Sequence, residues 1–228
     1  MFWDSTYILV VIGALISMIA SMNVSSTFKR YSQRDASVRM TGREAAERIL
    51  ASAGIHDVRI EQVHGNLSDH YSPGEKVLRL SEGVYNSTTV AAVGVAAHEC
   101  GHAIQHQQGY FPLKLRALSV PVANFGSWLS LPIVILGLAM GYGRLADIGV
   151  FLFTFVVAFQ LITLPVEFNA SRRAMKAMEG CGILEGESLE NAGKVLNAAA
   201  LTYVAALFAS VLQLLRLVLR ARGSRRRD

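Results

Sequence analysis

Two histidines and a glutamate lie within five residues of one another near the middle of the chain. His98 and His102 are four residues apart, and Glu99 directly follows the first, in the stretch VAAHECGHAIQH. On a helix, residues four apart project from one face one turn apart, so both imidazoles can bind a single zinc ion. Glu99 lies about 100° around the helix from His98, close enough to take a proton from a water on the metal. The spacing predicts a hydrolytic zinc centre with Glu99 as the general base.

The same motif can arise by chance on an ordinary core or surface helix. Here the helix is lined with small residues suited to close packing, among which an unpaired glutamate and two histidines would be costly. These residues are Ala91, Ala92, Gly94, Ala96, Ala97 and Gly101. Cys100 points away from both histidines and is interpreted as a small core residue. The context therefore favours the metal interpretation.

Two histidines need a third protein ligand if one metal position is to stay open for water. His106 lies about 12 Å along a straight helix from His98, at about 1.5 Å per residue, so it would reach the metal only if the helix broke. Glu167 follows Pro165 at the end of an apolar block, where an ionisable group indicates function, and it is the predicted ligand. The alternative is that Glu167 only interacts with the dipole of its own helix. Ser171, one turn later, can orient a ligand.

The composition is that of a membrane protein. Of the 228 residues, 52% are hydrophobic and 17% are charged, and the apolar residues are concentrated in blocks. A helix that crosses a bilayer needs about 20 mostly apolar residues. The blocks are Tyr7 to Met22, Leu118 to Tyr142, Leu145 to Val166 and Ala198 to Leu215. They predict an integral membrane protein, mainly α, with about four transmembrane helices.

Between the first two blocks the sequence predicts a small α+β module. TGREAAERILASAGI is typical of a helix, with a Thr41–Glu44 capping box and Gly54 as its stop. VRIEQV and KVLRLS alternate as half-buried strands do, and a helix from near Ser87 to Gly109 carries the histidines. After Pro165, EFNASRRAMKAMEG predicts a separate short helix, followed by one long final helix.

These segments give four regions. We expect a membrane anchor at residues 1–24, a zinc-binding catalytic module at 25–117, a transmembrane hairpin at 118–166, and the third-ligand helix with a final membrane helix and basic tail at 167–228.

Charge indicates the orientation of the chain in the membrane. Asp4 and the absence of Lys or Arg before the first block favour a retained anchor over a signal peptide, and basic residues from Lys29 to Arg39 follow it. The positive-inside rule then places the module in the cytoplasm. Four crossings would leave the tail RARGSRRRD outside, against that rule, so the orientation of the last block stays open. The tail is expected to face solvent or lipid headgroups rather than nucleic acid.

Longer motifs resemble a known family. The stretch from DHYSPGEKVLRLSEG through the histidine motif to LRALSVP, together with LPVEFNASRRAM and AAALTYVAA, is similar to the YugP-like neutral zinc metallopeptidases of bacterial membranes. The resemblance implies zinc on His98 and His102, Glu99 as the base and Glu167 as third ligand. It extends more distantly to HtpX-type membrane proteases. The chain departs from these patterns at Ser72, Asn169 and Ser171, where an aspartate is usual in one or the other group.

The resemblance also suggests two further roles. KVLRLSEG can be an edge strand that pairs with the substrate backbone, or an ordinary internal strand. His70 and Tyr71 can donate hydrogen bonds to the oxyanion that forms during peptide hydrolysis, or they can be turn residues.

The predicted function is that of a zinc-dependent endopeptidase integrated in the bacterial inner membrane, with its site facing the cytoplasm. Zn²⁺ is the only implied cofactor, and membrane proteins or peptides are the expected substrates. The chain can also act within a membrane-protein complex. One alternative is a non-proteolytic membrane scaffold that retains zinc, which would need a fourth protein ligand. Another is a metal transporter, which would need ionisable ligands near the middle of the spans, and the interiors of the four blocks lack them.

Overall fold

The computed structural model describes residues 5–36, 39–65 and 68–225. The chain divides into two compact units, which are described separately. A membrane unit comprises Met1–Ser21, Leu115–Leu164 and Leu201–Asp228, and a metal-site unit comprises Met22–Lys114 and Pro165–Ala200. The elements, in chain order, are α1 (Tyr7–Tyr31), α2 (Gly42–Ser52), β1 (Arg59–Val63), β2 (His70–Ser72), β3 (Val77–Ser81), α3 (Glu82–Tyr85), α4 (Val90–Gln107), α5 (Phe111–Ala139), α6 (Gly143–Gly180) and α7 (Gly186–Arg225).

Within the described residues, four helices are long and apolar enough to cross a bilayer, namely α1, α5, α6 and α7. This confirms the mainly α membrane fold with four spans. Large apolar side chains on these helices are exposed in the protein alone, for example Ile19 at 62% and Trp128 at 77%. In a bilayer such side chains face lipid, and the helix satisfies its own backbone hydrogen bonds.

Helix α6 corrects one sequence expectation. It runs without interruption through Pro165, so Glu167 does not begin a separate short helix. A proline inside a helix removes one hydrogen bond and crowds the preceding turn. Packing compensates beyond it, because residues 166, 170, 174 and 178 form a fully buried stripe at the spacing of one helix face. The alternative that Glu167 only interacts with the dipole at the start of its own helix is also excluded, because α6 begins at Gly143, far from Glu167.

The metal-site unit is built on α2, α4 and the sheet. Thr41 caps α2 with the predicted capping box, and Gly54 follows the helix in the left-handed conformation, with φ of 70°. Ile49 of α2, Leu78 and Leu80 of β3 and Val93 of α4 are fully buried in one core. Burial of each such side chain contributes about 1.5–3 kcal/mol.

The sheet has the order β1-β3-β2, with β1 parallel and β2 antiparallel to β3. The two predicted strands are β1 and β3, and β2 was missed, as was the short helix α3. Because β3 lies between two strands, the hypothesis that it is an edge strand is wrong. The edge strands of this sheet are β1 and β2.

Candidate metal centre

Helix α4 presents the motif residues from a well-anchored start. Thr89 caps the helix by accepting a hydrogen bond from the amide of Ala92 at 3.3 Å. His102 and Glu99 are nearly buried, at 8% and 9% exposure, and the His98 side chain is 14% exposed. The two imidazole rings meet edge to face, with centroids 4.8 Å apart. The predicted helix therefore brings both histidines together.

Glu167 of α6 completes the group. Its Oε2 lies 3.2 Å from Nε2 of His98 and 3.6 Å from Nε2 of His102, and the residue is only 2% exposed. Donor atoms about 2.0–2.1 Å from a tetrahedral zinc lie roughly 3.3 Å from one another. The two observed distances bracket that value. Among the residues that the structure describes, His98, His102 and Glu167 are the group that can hold a metal ion.

The charges of the site favour a cation. Burial lowers the pKa of His102, but the hydrogen bond to Glu167 and the negative charges of Glu99 and Glu167 outweigh it, so its pKa lies above the ordinary value. The buried carboxylate of Glu167 favours a positive charge beside it, either from a proton on His102 or from a metal. Because protons and metal ions compete for the same nitrogen atoms, acid is expected to weaken metal binding.

Each histidine has a partner for its other nitrogen. Nδ1 of His98 lies 3.1 Å from the hydroxyl of Ser171, and Nδ1 of His102 lies 3.1 Å from Oε1 of Gln105. Both Nε2 atoms are thereby directed at Glu167. The structure places Ser171 where the sequence predicted it, on the Glu167 face of α6. Gln105 was missed, although its position three residues after His102 on one helix could have indicated it.

Glu99 is held by strand β2. Its Oε2 accepts a hydrogen bond from the backbone amide of Tyr71 at 3.0 Å. The Tyr71 hydroxyl in turn lies 2.8 Å from Nδ1 of His106. The structure therefore brings His106 to Tyr71 and not into the group around Glu167. Burial, followed by the negative charge of Asp57, raises the pKa of Tyr71, so its hydroxyl is protonated at neutral pH.

His70 lies apart from these residues. It is exposed on β2, and its neighbours are the carbonyl of Ser68 at 2.8 Å and the guanidinium of Arg79 at 3.4 Å. Adjacent residues of a strand point to opposite faces, so Tyr71 and His70 cannot both face Glu99. Of the two predicted oxyanion donors, Tyr71 contacts Glu99 through its backbone amide, and its hydroxyl lies at His106.

Comparisons with known proteins identify the family of this chain. A family model described as "Putative neutral zinc metallopeptidase" matches residues 6–222. The chain is also similar to the "Putative membrane protease YugP" of Bacillus subtilis (strain 168), with 46% identity over 93% of this chain and 95% of that protein. No solved structure matches. The chain belongs to the family of neutral zinc metallopeptidases that this model describes, and its relative is named as a membrane protease.

Proposed function

We propose that this protein is a zinc-dependent endopeptidase that cleaves membrane-associated proteins or peptides. The observation that carries the proposal is the close approach of three donor atoms. Oε2 of Glu167 lies 3.2 Å from Nε2 of His98 and 3.6 Å from Nε2 of His102. Two imidazoles and a carboxylate are the donor set of hydrolytic zinc sites that keep one position open. A metal held by His98, His102 and Glu167 would lower the pKa of water and polarise the substrate carbonyl.

Glu99 is proposed to be the general base. It adjoins both ligand histidines in sequence, and its charge acts on His102. The amide of Tyr71 fixes one carboxylate oxygen, which leaves the other free to accept a proton from the attacking water. The same carboxylic acid can then protonate the departing amine. This positioning by β2 explains how one side chain can serve both steps without moving.

Tyr71 is proposed to stabilise the oxyanion. A tyrosine hydroxyl is protonated at neutral pH, burial raises the pKa of Tyr71 further, and the hydroxyl lies 2.8 Å from Nδ1 of His106 on the same helix as Glu99. Hydrogen-bond donors aimed at developing negative charge are typical of peptide hydrolysis. His70, exposed on the other face of β2, is not proposed for this role.

The expected substrates follow from the four spans. A site on a chain anchored by four helices meets peptides at or near the bilayer surface most often. If all four helices cross the bilayer, the residues between α1 and α5 lie on the same side of it as those between α6 and α7. We propose the cytoplasmic side of the bacterial inner membrane, because Lys29 and Arg30 lie in the last turn of α1 and Arg34 follows it.

A labelling experiment tests the orientation. In a background without native cysteines, Glu185→Cys should resist a membrane-impermeant thiol reagent in intact cells, because Glu185 follows α6 on the cytoplasmic side. Tyr142→Cys, in the exposed turn between α5 and α6, should be labelled. The reverse pattern would place the site outside the cell.

The test of function is cleavage by the purified protein in detergent. Zinc-loaded protein is expected to hydrolyse fluorescently labelled casein. The Glu99→Gln variant should keep its zinc but cleave casein about 10²–10⁴-fold more slowly. The amide preserves the size of the side chain but cannot accept the proton. A wild-type preparation that binds one zinc per chain but cleaves no faster than the Gln variant would instead support the non-proteolytic scaffold.

A further inference from the structure

Gln105 is a buried polar residue beside the metal centre that the proposed reaction does not use. It is fully buried on α4, three residues after His102. Its side chain connects that histidine to α6. Oε1 lies 3.1 Å from Nδ1 of His102, and Nε2 lies 2.8 Å from the carbonyl oxygen of Val166 and 2.9 Å from Oδ1 of Asn169.

The orientation of this amide is determined by its neighbours. The carbonyl of Val166 can only accept a hydrogen bond, so the Gln105 atom that faces it must be the NH₂ group. The amide of Asn169 is oriented by Arg173. Nε of Arg173 can only donate a hydrogen bond and lies 2.6 Å from Oδ1 of Asn169, so Asn169 presents its oxygen there. Arg173 is itself held by the side chain of Gln108 and by the ring of Tyr110. Rotating the Gln105 amide by 180° would set its oxygen against two acceptors.

His102 is constrained as a result. Since Oε1 of Gln105 can only accept, Nδ1 of His102 must carry a hydrogen, and the lone pair of the neutral ring is then on Nε2. That nitrogen is the one directed at Glu167. We propose that Gln105 is a positioning residue that sets the tautomer and the ring orientation of His102 for the metal, with the Val166 carbonyl and the Asn169–Arg173 pair holding Gln105 in turn. The inference rests on the proposed zinc site.

His98 provides an internal comparison. Its Nδ1 faces the hydroxyl of Ser171, which can either donate or accept. A hydroxyl therefore leaves the tautomer of His98 undetermined, whereas the amide of Gln105 determines that of His102. Removing Gln105 should consequently have a larger effect on the metal than removing Ser171.

The test is a set of purified full-length variants measured for zinc affinity and for histidine tautomer. Gln105→Met keeps the length and the volume of the side chain without its hydrogen bonds. It is expected to weaken zinc binding by about 10–100-fold, with a smaller loss for Ser171→Ala. The matched control is Gln107→Met, because Gln107 is exposed two residues along the same helix and should bind zinc as wild type does.

Nitrogen chemical shifts of isotope-labelled histidine separate positioning from a general structural effect. Because the Glu167 carboxylate also faces Nε2 of His102, the comparison is made in a Glu167→Ala background at alkaline pH without metal. There His102 should carry its hydrogen on Nδ1 only, and adding Gln105→Met should give a mixture of the two neutral tautomers. Wild-type protein that binds no zinc would contradict the proposed function. Wild-type protein that binds zinc while Gln105→Met matches Gln107→Met in affinity and shifts would overturn the inference alone.

A second pair of variants applies if Gln105→Met does not fold. Asn169→Asp keeps an oxygen that accepts from both Gln105 and Arg173, and it should bind zinc as wild type does. Asn169→Leu removes that acceptor and should weaken zinc binding by roughly 10-fold. Equal zinc affinities for the Asp and Leu variants would show that the amide of Gln105 is not held through this residue, and would overturn the proposal.

Discussion

The membrane unit and the metal-site unit contain the same kind of element, a long helix rich in small and apolar residues, but their sequences constrain them differently. Along the spans many large side chains are exposed, such as Leu118 at 74%, and lipid is their partner. Along α4 most residues are buried against other parts of the protein, and Gly101 lies against the carbonyl of Ala170. A span needs only length and hydropathy, whereas the site needs individual partners from distant parts of the chain.

The largest effect should come from removing Glu167, the proposed metal ligand that lies outside the His98–His102 motif. Glu167→Ala is expected to weaken zinc binding by more than the 10–100-fold typical of losing a residue that only supports a ligand. The carboxylate of Glu167 lies beside Nε2 of both histidines, and without it a bound metal would lose one of its three proposed protein ligands. The measurement is zinc content after dialysis of the folded variant against a weak chelator.

Two matched variants show whether position or charge is responsible. Glu179→Ala removes an exposed carboxylate from the same helix and should leave zinc in place. His106→Ala should also retain zinc, since His106 contacts Tyr71 and lies outside the ligand group. If the His106 variant lost its metal while the Glu167 variant stayed loaded, the proposed ligand set would be wrong.

Much of the architecture could be predicted because local rules determine it. The four spans follow from hydropathy, α2 from the Thr41–Glu44 capping box, and the metal face of α4 from a four-residue spacing. Glu167 could be singled out because a carboxylate beside an apolar block is costly without a partner.

What could not be predicted depends on contacts between distant segments. Strand β2 has three residues within a run of turn-forming residues, which is too short for an alternating pattern to show. Its role became visible only with the hydrogen bond from Tyr71 to Glu99, which lie 28 residues apart. Pro165 predicts the end of a helix by local rules, and the buried stripe beyond it overrides them.

A smaller effect should come from the contact between α4 and α6. A side-chain carbon at Gly101 would overlap the carbonyl of Ala170, so Gly101→Ala must push the two helices apart. Overpacking of this kind typically costs about 1–3 kcal/mol, and in a chain of this size each kcal/mol lowers the melting temperature by about 2–4 °C. The melting temperature in detergent, followed by circular dichroism, is the measurement.

Gly94 on the same helix is the control for that substitution. A side-chain carbon there would lie 3.5 Å from the Ala192 side chain, which is an ordinary contact. Gly94→Ala should therefore melt at or slightly above the wild-type temperature, since alanine favours the helix by roughly 0.4–1 kcal/mol where it fits. Equal destabilisation by the two substitutions would mean that Gly101 is not the point of closest approach.

The smallest effect should be that of modifying the two cysteines. Cys100 lies in the core of the metal-site unit, and Cys181 lies nearer its surface. Cys100 is fully buried, its Sγ lies 3.7 Å from the carbonyl of Ala46, and burial raises its pKa well above the ordinary value. Cys181 follows α6, is half-buried and contacts the hydroxyl of Ser52.

Because the thiolate is the reactive form, N-ethylmaleimide at neutral pH should modify Cys181 and spare Cys100. Zinc content should not change, since neither thiol belongs to the ligand group. Mass spectrometry before and after denaturation gives the count, which should rise from one adduct to two. Two adducts on the zinc-loaded protein would mean that the core beneath the histidines opens far more readily than its packing implies.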